Sequence, residues 1–228
     1  MSKHPISRRS FGILSGLSGI VGVLMLILSF TINPGPPRDA GYAELVRFGQ
    51  NHSATILWGA WLQAVGPVLI VLFAFALVHL AGAVQRLAGW MTLFGASVLM
   101  TTSLIEITFY ISALFPDPAL MPAISMHFIS AVQHLYFFAA APALFLPLGI
   151  VLVSSAILPR VFGYLAVGLA IAFAALGMIF LRRLMLPDPV TAFAGVQAIW
   201  WLGASVTLVI RNMRRSARPN QVTSAYSV

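Results

Sequence analysis

Six stretches of predominantly apolar residues, each about 20 residues or longer, constrain the fold of this chain more than any other feature. They run through roughly residues 11–31, 53–81, 87–113, 122–154, 161–181 and 192–210. A helix of about 20 apolar residues matches the hydrocarbon thickness of a bilayer, about 30 Å. Because backbone hydrogen bonds in lipid must be satisfied within each segment, the stretches predict helices. We therefore expect an all-α, polytopic bundle of six transmembrane helices.

The composition excludes a soluble or disordered protein. The chain has 228 residues, of which 60% are hydrophobic and 8% charged, whereas soluble domains are about 25% charged. In a soluble chain the net charge of +8 would favour nucleic-acid binding. Here the basic residues flank apolar stretches, so we expect the lipid bilayer as partner and no nucleic acid. The lack of cysteine excludes disulfides and thiolate chemistry.

The positions of the basic residues predict the orientation in the membrane. With six spans, most of them fall on one side, which the positive-inside rule makes cytoplasmic. They are Lys3, Arg8, Arg9, Arg86, Arg160, Arg211, Arg214, Arg215 and Arg218. We therefore expect both termini to be cytoplasmic, with residues 1–210 as one transmembrane domain and residues 211–228 as a basic, flexible tail. Arg182 and Arg183 are exceptions on the outer side, where they would bind an anionic headgroup or substrate or extend toward the outer headgroups.

The three outward-going spans begin with similar residues. These are Arg9-Ser-Phe-Gly12, Arg86-Leu-Ala-Gly89 and Arg160-Val-Phe-Gly163. Each span then reaches a proline-containing turn. The pattern fits three tandem hairpins, and it equally fits the recurrence of basic anchors and proline turns that multi-spanning proteins share.

The segment Gly149-Ile-Val-Leu-Val-Ser-Ser-Ala-Ile-Leu-Pro-Arg-Val-Phe-Gly-Tyr-Leu-Ala-Val-Gly resembles a stretch typical of a bacterial family of uncharacterised integral membrane proteins. That family is a domain-of-unknown-function group, whose members similarly open with a basic residue, a glycine and a leucine-rich first span, as Arg9 to Leu14 does. The resemblance covers two of the six spans. It implies a multi-pass protein of the bacterial inner (plasma) membrane, and it implies no activity and no functional residues.

Polar residues within the spans predict one site. Glu106 is the only acid well inside a span, and such residues are costly and functional by default. Polar residues of spans two, three and four fall in the outer half of the membrane under the predicted orientation. Because these spans are consecutive, we expect them to be neighbours. The predicted pocket, open or openable to the outside, is lined by Glu106, Tyr110, His127, His134, His52 and Gln63.

Three functions fit this pocket. A small-solute or proton-coupled carrier, or a binding protein, would use Glu106 and His134, because histidine titrates near neutral pH. A membrane redox subunit would hold haem b or a divalent metal through His127 or His134, with Glu106 and His52 as further metal ligands. In an accessory or structural protein the same groups would only fix helix packing. Catalysis is left open, since no nucleophile elbow, His-Glu-x-x-His motif or phosphate loop is present.

The first span carries a face of small residues. Gly12, Gly16, Gly19 and Gly22 recur three or four residues apart along it. Spacing of this kind lets two helices approach closely within a membrane. The face therefore predicts a close helix contact, and an oligomer formed through it is one form that this contact could take.

Overall fold

The computed structural model describes residues 7–33, 41–112, 128–129, 131–179 and 187–214. This part of the chain is helical and contains no strand. Its helices are α1 (Arg8–Ile32), α2 (Tyr42–Asn51), α3 (Ser53–Leu80), α4 (Leu87–Ser112), α5 (Ala131–Val153), α6 (Arg160–Ile179) and α7 (Pro187–Arg214). Six of them, all but α2, are long and apolar enough to cross a membrane. The prediction of an all-α bundle with six candidate spans is confirmed.

The six long helices form a closed ring. α1 packs on α3, α3 on α4, α4 on α5, α5 on α6 and α6 on α7, and α7 returns to pack on α1. Aromatic side chains of α3, α5, α6 and α7 fill the middle of the ring. Phe73, Phe145, Phe173 and Trp201 are fully buried there, and the ring centroids of Phe145 and Trp201 are 5.3 Å apart. We call these four side chains the aromatic layer. Aromatic pairs at this separation stabilise a core beyond the area that they bury.

Arginines gather at one end of the bundle. The Nη2 of Arg8, at the start of α1, donates to the carbonyl oxygen of Leu80, at the end of α3, over 2.8 Å. The α3–α4 and α5–α6 connections and the end of α7 lie at the same end. We call it the terminal end, and the other the opposite end. The α3–α4 connection turns through Gly82, whose φ of 64° lies in the left-handed region that favours glycine.

The small-residue face of α1 packs inside the chain. A Cβ on Gly16 would lie 2.5 Å from Val209 Cγ2 of α7, and a Cβ on Gly22 would lie 2.8 Å from the carbonyl oxygen of Gly66 in α3. The predicted close helix contact therefore exists, but both partners belong to the same chain. α3 and α7 of the same chain cover this face, and an oligomer of the protein stays a prediction.

Two segments differ from their predicted bounds. The short helix α2 occupies part of what was treated as a connection between the first two spans, and it ends one residue before His52. α7 continues to Arg214, four residues into the stretch predicted to be a flexible tail, and Asn212 Nδ2 donates to Leu208 O over 2.9 Å within this last turn. Nothing in this stretch breaks a helix, since proline first recurs at Pro219. The remaining tail, residues 215–228, and the first part of the fourth predicted span lie outside the described residues.

α5 contains one wide turn near its start. Tyr136–Ala140 forms a π-helical segment, in which the N–H of Ala141 donates to the carbonyl oxygen of Tyr136. Pro142 follows directly and has no N–H to donate to the carbonyl of Phe138, four residues earlier. A wider turn accommodates this missing donor, and π segments of this kind are frequent at functional sites.

A candidate polar site around Glu106

Glu106 lies on α4 and joins it to two other helices. Its position is six residues before the last residue of α4, Ser112, or about 9 Å along the helix axis at 1.5 Å per residue. Gln63 Nε2 of α3 donates to Glu106 Oε2 over 3.1 Å. Gln133 Nε2 of α5 donates to Glu106 Oε1 over 3.2 Å. Each carboxylate oxygen therefore accepts a hydrogen bond from a different helix. We call these three residues the Glu106 cluster.

Burial makes these hydrogen bonds important for the packing of the three helices. Gln63 is only 4% exposed, and Glu106 and Gln133 are half-buried. Hydrogen bonds to an ionised carboxylate are about twice as strong as those between neutral groups. A buried donor or acceptor that loses its partner costs about 1–3 kcal/mol. Both carboxylate oxygens of Glu106 therefore depend on amide donors from neighbouring helices.

A second polar pair lies close by on α5. Tyr136 follows Gln133 by three residues, so both belong to one face of the helix. The Tyr136 hydroxyl donates to Gln197 Oε1 of α7. Tyr110 is half-buried one turn beyond Glu106 on α4. The polar region therefore draws on α3, α4, α5 and α7, which are the spans that surround the centre of the ring on this side.

The structure brings together only some of the predicted site residues. Glu106 and Gln63 are hydrogen-bonded, and Tyr110 shares the face of Glu106. His134 is half-buried beside Gln133, and Gln133 is the residue of α5 that donates to Glu106. Three further predicted residues, His127, Arg182 and Arg183, lie outside the described residues.

His52 lies at a different level of the bundle from Glu106. It is exposed at the junction of α2 and α3, where its ring centroid is 4.8 Å from that of Phe48. Gln63 follows eleven residues later on α3, or about 16 Å along the helix axis at 1.5 Å per residue. His52 is thus separated along the membrane normal from the Glu106 cluster.

Sequence reasoning missed Gln133, Tyr136 and Gln197. The sequence predicts a polar face on the fourth span that contains His127 and His134. Gln133 precedes His134 by one residue and so points about 100° away on a helix with 3.6 residues per turn. A usable signal was present, because glutamine within an apolar stretch needs a hydrogen-bond partner and Glu106 needs donors. Matching amides to the buried acid would have indicated Gln133 together with Gln63.

Among the described residues, no arrangement supports the metal or haem hypothesis. Within residues 7–33, 41–112, 128–129, 131–179 and 187–214, no three His, Cys, Asp or Glu side chains form a group that could hold a metal ion. The described hydrogen-bond partners of Glu106 are carboxamides rather than imidazoles. The arrangement is suited to binding a proton, a cation or a hydrogen-bond donor at a carboxylate.

Comparisons with protein-family models, with curated proteins and with solved structures give no match for this chain, so the resemblance to the bacterial membrane-protein family remains a prediction.

Proposed function

We propose that this protein is a multi-pass membrane carrier or binding protein for a small cationic solute, in which Glu106 binds the solute and a proton in turn. The observation that carries this proposal is the Glu106 cluster, in which a carboxylate within an apolar span accepts hydrogen bonds from two other helices. Ionisable groups in such positions typically mark substrate or proton pathways.

The Glu106 cluster links the charge of one carboxylate to contacts between helices. Both glutamines present their Nε2 groups to Glu106, and these groups can only donate. A proton bound to one carboxylate oxygen turns that oxygen into a donor, so the hydrogen bond there must be lost or rearranged. Unless the amide turns to present its Oε1 instead, protonation thereby weakens the contact of α4 with α3 or α5. A ligand that displaces the proton favours the state in which Glu106 accepts both hydrogen bonds. A coupled carrier requires such a link between the binding of its solute and the binding of a proton.

The groups of the polar region indicate the class of solute. They are a carboxylate, carboxamides and tyrosine hydroxyls. A carboxylate attracts a cation and repels an anion. A small amine or quaternary ammonium solute is therefore favoured over an anionic one.

The aromatic layer separates the Glu106 cluster from the terminal end. Phe73 follows Gln63 by ten residues on α3, about 15 Å along the axis at 1.5 Å per residue. Its members are fully buried and in contact, so they place a layer of packed aromatic rings between the two ends. In the proposed carrier this layer is the barrier that must rearrange when the solute crosses.

The location proposed for the protein is the bacterial inner membrane, with both termini in the cytoplasm. The arginines of the terminal end support this orientation, since basic residues flanking membrane spans are retained on the cytoplasmic side. The Glu106 cluster then lies in the outer half of the bilayer and receives its solute from outside.

A transport measurement tests the proposal. Liposomes containing the protein and a trapped pH-sensitive dye are given an external step of tetramethylammonium or guanidinium. With the wild-type protein we expect protons to leave the liposomes as the cation enters. With Glu106→Gln we expect no proton movement. Glu44→Gln, which changes an exposed acid of α2, is the matched control and should behave like the wild type. Proton movement that persists in Glu106→Gln, or that is absent from the wild type with both cations, would overturn the proposal.

A further inference from the structure

A polar cavity opens at the terminal end, far from the Glu106 cluster. Its volume is about 410 Å³. It lies between the start of α1, the end of α3, the α5–α6 connection and the last turns of α7. Polar side chains from three of these segments line it, namely Arg8, Ser154, Ser155, Arg211 and Asn212.

Two arginines from opposite ends of the described chain meet at this cavity. Arg8 is held in place by the 2.8 Å hydrogen bond from its Nη2 to Leu80 O. A guanidinium has five N–H groups, so this bond leaves others for a further acceptor. Arg211 lines the cavity from α7, and it also lines an adjoining cavity of about 480 Å³ together with Arg160.

Among the described segments that form this end, no acidic side chain accompanies the positive charge. The five acidic residues of the chain are Asp39, Glu44, Glu106, Asp117 and Asp188. None of them falls in the segments that form the terminal end, residues 7–10, 80–86, 154–160 and 208–214. Arginines that converge without carboxylates repel one another, and this repulsion favours the binding of an anion between them.

We propose that the cavity lined by Arg8 and Arg211 binds a phosphate group, supplied by an anionic phospholipid headgroup or by free phosphate. The planar guanidinium matches phosphate oxygens through paired N–H donors. The cavity is at the ends of the spans, where lipid headgroups lie, and basic pockets between helices on the cytoplasmic side are typical lipid sites. A purely topogenic role requires arginines on this side but does not require Arg8 and Arg211 to line one cavity.

The test compares lipid binding by arginine variants with equal charge. Purified protein is titrated with phosphatidylglycerol and separately with phosphatidylcholine, and bound lipid is counted by native mass spectrometry. We expect Arg8→Gln and Arg211→Gln to weaken phosphatidylglycerol binding roughly tenfold, the loss of one charge-assisted contact. Arg9→Gln and Arg214→Gln remove the same charge from exposed neighbours that do not line the cavity, and they should change binding less than twofold.

Two further measurements identify the source of the phosphate and distinguish loss of the site from misfolding. Competition of inorganic phosphate with phosphatidylglycerol shows that the site binds the phosphate group alone, whereas binding that resists inorganic phosphate shows that it requires the intact lipid. Arg211→Lys keeps the charge but lacks the paired donors, and should show intermediate binding. Equal binding of the two lipids, or equal losses in the cavity variants and their neighbours, contradicts the proposed site.

Discussion

Glu106 and Gln133 lie on consecutive spans and are joined by a hydrogen bond of 3.2 Å from Gln133 Nε2 to Glu106 Oε1. The other carboxylate oxygen is bonded to Gln63 of α3 at 3.1 Å. α3 and α5 are the two most buried spans of the bundle. The single acid of α4 is therefore bonded to both of these helices, and its charge influences how they pack.

Loss of Gln133 should destabilise the fold. Gln133→Leu removes the donor to Glu106 Oε1 and leaves that buried oxygen without its partner, so we expect the free energy of unfolding to fall by about 1–3 kcal/mol. Chemical denaturation in detergent measures the change. Gln50→Leu, at an exposed position of α2, should have little effect. In a Glu106→Gln background the loss should differ, because the two residues interact directly; strictly additive losses would show that they are not coupled.

The Tyr136 hydroxyl should contribute to stability through Gln197. Tyr136→Phe removes this hydroxyl and leaves Gln197 Oε1 unpaired, and we expect a loss of about 0.5–1.5 kcal/mol. Tyr164→Phe makes the same chemical change at a side chain that is 61% exposed, and should have almost no effect. Equal stability of the two variants in thermal unfolding would contradict the role of the Tyr136–Gln197 pair.

Two fully buried serines should respond oppositely to removal of their hydroxyls. Ser29 Oγ donates to Gly59 O over 2.8 Å and ties α1 to α3. Ser205 Oγ is buried without a hydrogen-bond partner within the described part of the chain. Ser29→Ala should lower the free energy of unfolding by about 0.6 kcal/mol, the mean for membrane hydrogen bonds, while Ser205→Ala should be neutral or stabilising. A larger loss in the free energy of unfolding at Ser205 than at Ser29 would contradict these two hydrogen-bond assignments.

The close contact of α4 with α5 should not tolerate a methyl group at Gly95. A Cβ there would overlap the backbone of Ala143, whereas a Cβ on Gly168 of α6 meets nothing within 4 Å. We expect Gly95→Ala to cost about 1–3 kcal/mol through overpacking. Gly168→Ala should be neutral or stabilising by up to about 1 kcal/mol, because alanine is the better helix former. The thermal midpoint should therefore fall for Gly95→Ala and stay the same or rise for Gly168→Ala.

The sequence predicts the spans well because length and hydropathy determine them almost alone. Glu106 could also be singled out from the sequence, since one acid in an apolar stretch is conspicuous. Its partners on other helices depend on helix rotation, which periodicity alone does not set. Gln133 and His134 are adjacent in the chain but point in directions about 100° apart, so only the packed structure shows which one donates to Glu106.

Other features depended on contacts between distant segments. The small-residue face of α1 correctly indicated a close helix contact, but its spacing does not say whether the partner lies in the same chain. The π segment of α5 had a local signal in Pro142, yet the contact of Gly177 with the backbone of Phe138 requires α6 to be in place. The cavity between Arg8 and Arg211 joins the two ends of the described chain, and no local pattern predicts it.

The exchange of a cation for a proton on Glu106 is tested most directly by infrared difference spectroscopy of the protein in lipid. Spectra are recorded before and after addition of tetramethylammonium, across a pH titration. We expect the C=O band of a protonated carboxyl to decrease and carboxylate bands to increase in the wild type and in Glu44→Gln, with neither change in Glu106→Gln. A wild-type spectrum without these bands, or the same bands in Glu106→Gln, would contradict the account.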